Sequence, residues 1–244
     1  MGEKYMGESL PEAALVLAGG LGTRLRPITN KIPKPMVDIN GKPTIAHIID
    51  EIVRNGISAI YVSVGYKAGI IEDYLKRYDT PASIKFIREK EQLGTGGAIK
   101  LAMSKIPCRD IFMTYGDDLF NISIKEMYKL HKRKRSNITI SIRKAGSDAE
   151  LSASGVVRLR GSKVIEFVEK PKPEFAPSKF INIGKYIISE DIVSLLPKQR
   201  KFSFEKDFLE GALGAINVNA YKMDTRWYPT DTPERLERAI REWR

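Results

Sequence analysis

The feature that most constrains the fold is a short apolar run, Ala13-Ala14-Leu15-Val16-Leu17-Ala18, that breaks directly into glycines. Six apolar residues without polar alternation fit a strand buried on both faces of a parallel sheet. Parallel neighbours need crossover helices between them, and the sequence supplies these. Thr44 reads as the cap of a helix with Ile45, Ile48, Ile49, Ile52 and Val53 on one face and Gly56 as its stop. A strand follows over 59–64, then a helix with Ile70, Ile71, Tyr74, Leu75 and Tyr78 on one side, then a strand over 84–88. Residues 94–106 give a glycine-rich loop and a helix, and 111–115 a strand ending in Gly116-Asp117-Asp118.

This alternation predicts an α/β fold: a Rossmann-like, mostly parallel sheet flanked by helices. Ligands in such sheets bind beyond the carboxyl ends of the strands. The segments 19–26, 94–97 and 116–118 all fall there and are expected to line one crevice. After residue 137 the pattern becomes β-rich, with alternation at 138–142, 156–160 and 164–168 and a turn at Gly161-Ser162. This reads as a β-rich lobe of the same domain. The helix 233–243 closes the chain. The expected layout is a flexible leader over 1–11 and one domain over 12–244, divided into 12–136 and 137–244.

Composition narrows the function classes. The chain has 244 residues, 42% of them hydrophobic, enough for one well-packed core. It has no run of eighteen apolar residues, so no membrane span is expected, and its start lacks the apolar stretch of a signal peptide. Cys108 is the single cysteine, which excludes an intrachain disulfide and points by default to the cytoplasm. The net charge of +11 suits either nucleic acid or small polyanions such as nucleotides and phosphorylated substrates. The densest basic run, His131 to Arg135, lacks interleaved aromatics and reads first as a solvated helix end. No nucleic-acid partner is expected.

The chemistry concentrates in Ala18-Gly19-Gly20-Leu21-Gly22-Thr23-Arg24-Leu25-Arg26-Pro27. A P-loop would end in Gly-Lys-Ser/Thr, and a dinucleotide fingerprint would need glycine at Leu25. What remains is a loop whose backbone N–H groups can approach a phosphate chain. Arg24 adds a permanent cation with a fork of donors, and Lys34, stiffened between Pro33 and Pro35, adds a second.

Residues 19–35 resemble the signature of the sugar nucleotidyltransferase (NDP-sugar pyrophosphorylase) family, and the likeness spreads over about 13–243. The resemblance implies a nucleotide-diphospho-sugar transferase fold whose β-rich lobe binds sugar phosphate. It implies that Ala18, Gly19, Gly20, Gly22 and Thr23 hold the NTP, that Arg24 and Lys34 stabilise phosphate charge, and that Gly94 and Thr95 contact base and ribose. Asp117 would bind Mg2+ as part of the catalytic set. Glu169 and Lys170 would hold the sugar phosphate, as would Asn182 and Gly184. Ser203 to Asp207 reads as a helix cap first and a substrate segment second.

One departure stands out. Where the family carries its second metal ligand, this chain has Pro229 in Trp227-Tyr228-Pro229-Thr230-Asp231-Thr232-Pro233. Asp231 has two readings: the replacement metal ligand, or the N-cap of the helix at Pro233. The implied reaction is in-line attack of a sugar 1-phosphate oxygen on the NTP α-phosphate, with Mg2+ and fixed cations relieving repulsion. The nucleophile is already an anion, so neither His47 nor His131 is needed as a base. The likeness is greatest to guanylyltransferases of mannose- or heptose-type 1-phosphates; other NTP and glucose 1-phosphate pairs stay open, as does a catalytically silent regulatory homologue. The resemblance also points to a homo-oligomer, for which no sequence feature supplies an interface.

Overall fold

A computed structural model describes residues 10–223 and 226–243. Most of the leader read from sequence therefore lies outside the described residues. Pro11, which the sequence placed in that leader, is buried, and Glu12 accepts a hydrogen bond from the Arg109 N–H at 2.9 Å.

The main strands in chain order are β1 (Ala13–Ala18), β2 (Ala59–Val64), β3 (Ser83–Arg88), β4 (Asp110–Tyr115), β5 (Asp118–Phe120), β6 (Ile138–Lys144), β7 (Gly155–Arg160), β8 (Lys163–Glu169), β9 (Phe180–Ser189), β10 (Val218–Lys222) and β11 (Trp227–Pro229). The main helices are α1 (Thr44–Arg54), α2 (Ala68–Leu75), α3 (Gly94–Met103), α4 (Ile124–Lys134), α5 (Asp148–Ala153) and α6 (Pro233–Glu242). The chain groups into two compact units that no single cut separates. Of the described residues, one comprises 13–92, 114–122 and 226–243; the other comprises 10–12, 93–113 and 123–223.

In the first unit β1, β2 and β3 are parallel, with Ala14 opposite Ile60 and Ala59 opposite Ser83. β1 is buried along almost its whole length, as its unbroken apolar sequence requires. α1 buries Ile45, Ile48, Ile49 and Ile52, the face that the spacing indicates. Its cap differs from expectation. Thr44 is the first helical residue, and its hydroxyl donates to the Val37 carbonyl at 2.9 Å, tying the helix to the preceding hairpin. Gly56, at φ 93°, ends the helix as predicted.

The second unit is the β-rich one, ordered β4-β9-β6-β10-β8-β7. β9 pairs antiparallel with β6, β10 runs parallel to β6, and β8 forms a hairpin with β7. The ten-residue β9 is almost entirely buried, yet its core reads Asn182-Ile183-Gly184-Lys185-Tyr186, a mixture that hides a strand. Its pairing register shifts between Asn182 and Tyr186, and Gly184 sits in that bulge at φ 73°.

His131 corrects the sequence reading of the basic run. It is 2% exposed: Nε2 lies 2.9 Å from the Ser189 hydroxyl and Nδ1 3.0 Å from that of Thr139. Asp110 completes this knot, accepting from Ser189 (2.7 Å), Tyr128 (2.9 Å) and Lys132 (2.9 Å). Burial by itself would raise the Asp110 pKa. The bonds from His131, Ser189 and Lys132 outweigh it and hold the carboxyl well below the usual range. Cys108 behaves as the bland thiol expected, with burial pushing its pKa up to about 12.

Candidate active site

The first unit contains the glycine loop, both candidate cations and both candidate metal ligands. β1 delivers the chain to Ala18, which is buried opposite Val64. Gly19 follows beneath the Glu89 carboxylate, which an added side chain would have to displace, and Glu89 accepts from the Ser63 hydroxyl at 2.8 Å. A Cβ on Gly20 would meet nothing within 4 Å. Gly22 adopts φ 62°, and a Cβ there would lie 2.9 Å from the Lys34 Cβ. Only glycine therefore lets this turn close on Lys34. Thr23–Leu25 forms one 3-10 turn that divides its side chains. Leu25 is buried with Val37, Ile39, Leu119, Leu236 and Ala239, an anchor worth about 1.5–3 kcal/mol. Its neighbour Arg24 keeps 65% of its side chain exposed.

Lys34 opens the 3-10 turn Lys34–Met36, and its buried ammonium pairs with the Asp117 carboxylate. Asp117 is fixed from the other side by Gly116, whose N–H donates to the Leu17 carbonyl at 2.8 Å. Beyond it β5 pairs antiparallel with β11, with Pro229 opposite Asp118. This ribbon returns the chain to the site. Thr230 donates to the Asp117 carbonyl through its N–H (3.3 Å) and its hydroxyl (2.7 Å), so Asp231 is delivered beside Asp117.

The structure removes one of the two readings of Asp231, that of the helix N-cap. The N-cap of α6 is Thr232, whose hydroxyl accepts from the Arg235 N–H at 3.4 Å. Asp231 instead meets two arginines: Oδ2 lies 2.5 Å from Arg24 and Oδ1 2.8 Å from Arg235. Burial opposes its ionisation, but the Arg235 bond and the charges of Arg235, Lys34 and Arg24 hold its pKa below the ordinary carboxylate value. Two carboxylates and three cations thus share one small region.

The remaining predicted residues lie in the second unit. Gly94, Gly96 and Gly97 face the segment 200–202. A Cβ on Gly94 would lie 2.5 Å from the Phe202 carbonyl, one on Gly96 would strike the Phe202 ring, and one on Gly97 the Arg200 carbonyl. Thr95 turns inward to Glu205 at 2.9 Å. Glu169 is largely buried; burial first and the Glu205 charge second raise its pKa, against the pull of Lys170. Lys170 takes φ 51°, donates its N–H to Ser154 at 3.1 Å, and keeps 59% of its side chain exposed. Asn182 is buried with its amide turned into the protein. Oδ1 accepts from the Gly184 N–H at 3.2 Å, and Nδ2 donates to the Tyr186 hydroxyl at 2.6 Å. Ser203 does cap its helical segment, with its hydroxyl accepting from the Lys206 N–H at 3.2 Å.

Sequence reasoning passed over Glu89 and Glu205. Glu205 lay inside the capping segment, and burial at 8% marks it out only once the fold is known. Both histidines are held by hydrogen bonds of their own. His47 accepts the Trp243 indole N–H at 3.3 Å on Nδ1, so Nε2 carries a proton and donates to the Ile39 carbonyl at 2.9 Å.

The glycine loop at the end of β1 carries the sequence signature read over residues 19–35, and the comparisons with known proteins concern the chain as a whole. A nucleotidyl transferase family model matches residues 13–243. The chain belongs to the nucleotidyl transferase family. It is 33% identical over 229 residues to the D-glycero-alpha-D-manno-heptose 1-phosphate guanylyltransferase of Aneurinibacillus thermoaerophilus, covering 94% of this chain and 97% of that one. It is 32% identical to the mannose-1-phosphate guanyltransferase of Yarrowia lipolytica, covering 90% of this chain and 61% of the longer relative. Among solved structures, HddC from Yersinia pseudotuberculosis superposes with a TM-score of 0.81 at 31% identity, covering 96% of this chain and all of that one. A UDP-glucose pyrophosphorylase complexed with UDP-glucose gives 0.84 at 26% identity, covering 96% and 98%. These neighbours bear out the α/β nucleotide-diphospho-sugar transferase fold.

Proposed function

We propose that this nucleotidyltransferase joins an NTP to a sugar 1-phosphate, giving an NDP-sugar and pyrophosphate, with GTP and a mannose- or heptose-type 1-phosphate as its substrates. The observation that carries the reaction class is the charged cluster of Arg24, Lys34, Asp117, Asp231 and Arg235 at the end of the first glycine loop. Backbone N–H groups at Gly19 to Thr23 receive the triphosphate. Arg24 and Lys34 offset charge on the α-phosphate and the departing pyrophosphate. Lys170, exposed and held in shape by its left-handed backbone, takes the sugar phosphate, with Glu169 beside it. The attacking phosphate oxygen is already ionised, so no base is required.

The donor set fits a magnesium ion. Asp117 and Asp231 are hard oxygen ligands, each balanced by cations that phosphates and a metal can displace. Among the described residues no group of three or more His, Cys, Asp or Glu is arranged to hold a metal. That suits Mg2+, which usually takes one or two carboxylates and completes its shell with water and substrate phosphates. When bound, it would neutralise phosphate charge. Pro229 cannot ligate, and Asp231 supplies the carboxylate two residues later, which favours catalysis over a silent regulatory role.

Glu89 supports guanine as the base. It overhangs Gly19 at the carboxyl end of the parallel strands, where ligands of such sheets bind. Guanine alone among the common bases presents adjacent N1–H and N2–H donors, which one carboxylate accepts together. Uracil and thymine flank their single N–H with carbonyls, which a carboxylate repels.

The test is pyrophosphate release by the purified protein with Mg2+, four NTPs and a panel of hexose and heptose 1-phosphates. Release is expected only with GTP and a manno-configured sugar phosphate together. No release across the panel from folded protein would overturn the reading. Glu89→Gln is expected to lower kcat/KM for GTP about 10- to 100-fold while the other NTPs lose little.

A further inference from the structure

The second unit contains a chain of hydrogen bonds whose direction the chemistry fixes at every step. The Phe204 N–H donates to Thr95 Oγ1 at 2.8 Å, and the Thr95 hydroxyl is 2.9 Å from Glu205 Oε2. At the other end Asn182 Nδ2 donates to Tyr186 Oη at 2.6 Å, and Tyr186 is 2.8 Å from Glu205 Oε1. A backbone N–H and an amide NH2 can only donate. Thr95 and Tyr186 each therefore accept from outside and pass their own proton inward. Both protons point at Glu205, which accepts on both carboxyl oxygens. Tyr186 is fully buried, and Asn182 and Glu205 nearly so.

The ends of this chain are two different parts of the proposed substrate site. One is the Gly94-Thr95 step that opens α3. The other is Asn182-Gly184, where the Asn182 Oδ1 bond to the Gly184 N–H at 3.2 Å holds the bulge of β9. These segments are 87 residues apart in sequence, and the carboxylate of a third segment joins them. Glu205 also faces Glu169, whose pKa it helps to raise, so its charge reaches the sugar-phosphate residues as well.

We propose that Glu205 is a positioning residue that couples nucleotide binding to sugar-phosphate binding through Thr95 on one side and Tyr186 and Asn182 on the other. The proposal rests on the nucleotidyltransferase reading and adds to it a thermodynamic link between the two substrates. A ligand that orders Gly94-Thr95 fixes the Thr95 hydroxyl, and with it the Glu205 carboxylate, the Tyr186 phenol and the Asn182 amide. The second ligand then meets a subsite already ordered, so each strengthens the other by the same factor.

The readout is the affinity of each ligand alone and with the other saturating, by calorimetry. The probes are GMP-PNP with Mg2+, and mannose 1-phosphate and D-glycero-D-manno-heptose 1-phosphate. The intact protein is expected to bind one of these sugar phosphates about tenfold tighter with GMP-PNP present. Tyr186→Phe removes the relay proton and keeps the ring; Thr95→Val removes it at the other end, and Thr95→Ser restores it. In Tyr186→Phe and Thr95→Val the enhancement is expected to fall below twofold; in Tyr186→Phe, which changes no nucleotide-contacting residue, affinity for GMP-PNP alone is expected to change less than threefold. Thr95→Ser is expected to keep the enhancement. The proposal is overturned if the intact protein shows no enhancement, or if both relay variants lose thermal stability yet keep it. Failure of the reaction assignment looks different: both ligands bind and enhance each other, but no pyrophosphate appears with any GTP and sugar phosphate pair.

Discussion

The two glycine loops have nearly the same composition and use it in opposite ways. In the first, Gly20 has open space where a side chain would be, and Gly22 supplies a left-handed turn that closes on Lys34. In the second, Gly94, Gly96 and Gly97 are filled by the segment 200–202, so their missing side chains make room for protein. The first loop keeps open space above its backbone at Gly20; the glycine faces of the second are occupied by the segment 200–202. Glycine content alone does not tell these apart, because it reports only that something approaches closely.

The charged clusters repeat the contrast. Asp231 and Asp110 both have depressed pKa values, and in both burial is outweighed by cationic or hydrogen-bonding partners. Around Asp231 the Arg24 side chain is 65% exposed and can turn to a substrate. Around Asp110 the partners His131 and Tyr128 are buried, so the knot only holds the fold.

The largest effect that tests this division is on rate. Arg24→Ala is expected to lose about a hundredfold in kcat, close to 3 kcal/mol of transition-state stabilisation, with an unchanged melting temperature. Steady-state kinetics and a thermal scan on one preparation decide it. Normal turnover would remove the exposed cluster from the chemistry.

The glycines themselves provide the next test, on stability. Gly97→Ala places a methyl against the Arg200 carbonyl and is expected to cost about 1–3 kcal/mol in denaturant unfolding. Gly20→Ala meets nothing and is expected to stay within about 0.5 kcal/mol of the parent. Equal effects at the two positions would erase the distinction between the loops.

Much of this was legible in the sequence, and the misses share one cause. β1 and β2 were bounded correctly because apolar runs between glycines are local signals. The segment 19–35 disclosed the family for the same reason. The β9 strand, the burial of His131 and the partners of Glu205 depend on residues far away in the chain. His131 sits among lysines and arginines and looks solvated; Ser189 and Asp110, 58 and 21 positions away, bury it. Asp231 was ambiguous because a carboxylate before Thr-Pro suits a helix cap, and only the bond from Arg235 to Thr232 assigns the cap elsewhere.

The Asp110 knot predicts how stability responds to acid. Its folded pKa lies below the unfolded value of about 3.9, so its contribution is complete well above pH 4 and is lost as pH falls through and below that value. Melting temperatures from pH 7 to 3 are expected to fall at the acid end, and Asp110→Asn to flatten that fall while lowering stability at pH 7. An unchanged acid slope in the variant would assign the loss to other carboxylates.

The last test separates two neighbours. Thr232→Ala removes the cap of α6 and is expected to cost about 1 kcal/mol of stability with near-normal turnover. Asp231→Asn leaves that cap in place but withdraws the charge that faces Arg24 and Arg235, so turnover should collapse and its dependence on Mg2+ concentration should shift upward. If instead Asp231→Asn mimics Thr232→Ala, losing a little stability and no activity, then Asp231 only steadies the start of α6. Asp117 would then be left without the proposed second carboxylate, and Pro229 would mark a loss that Asp231 does not replace.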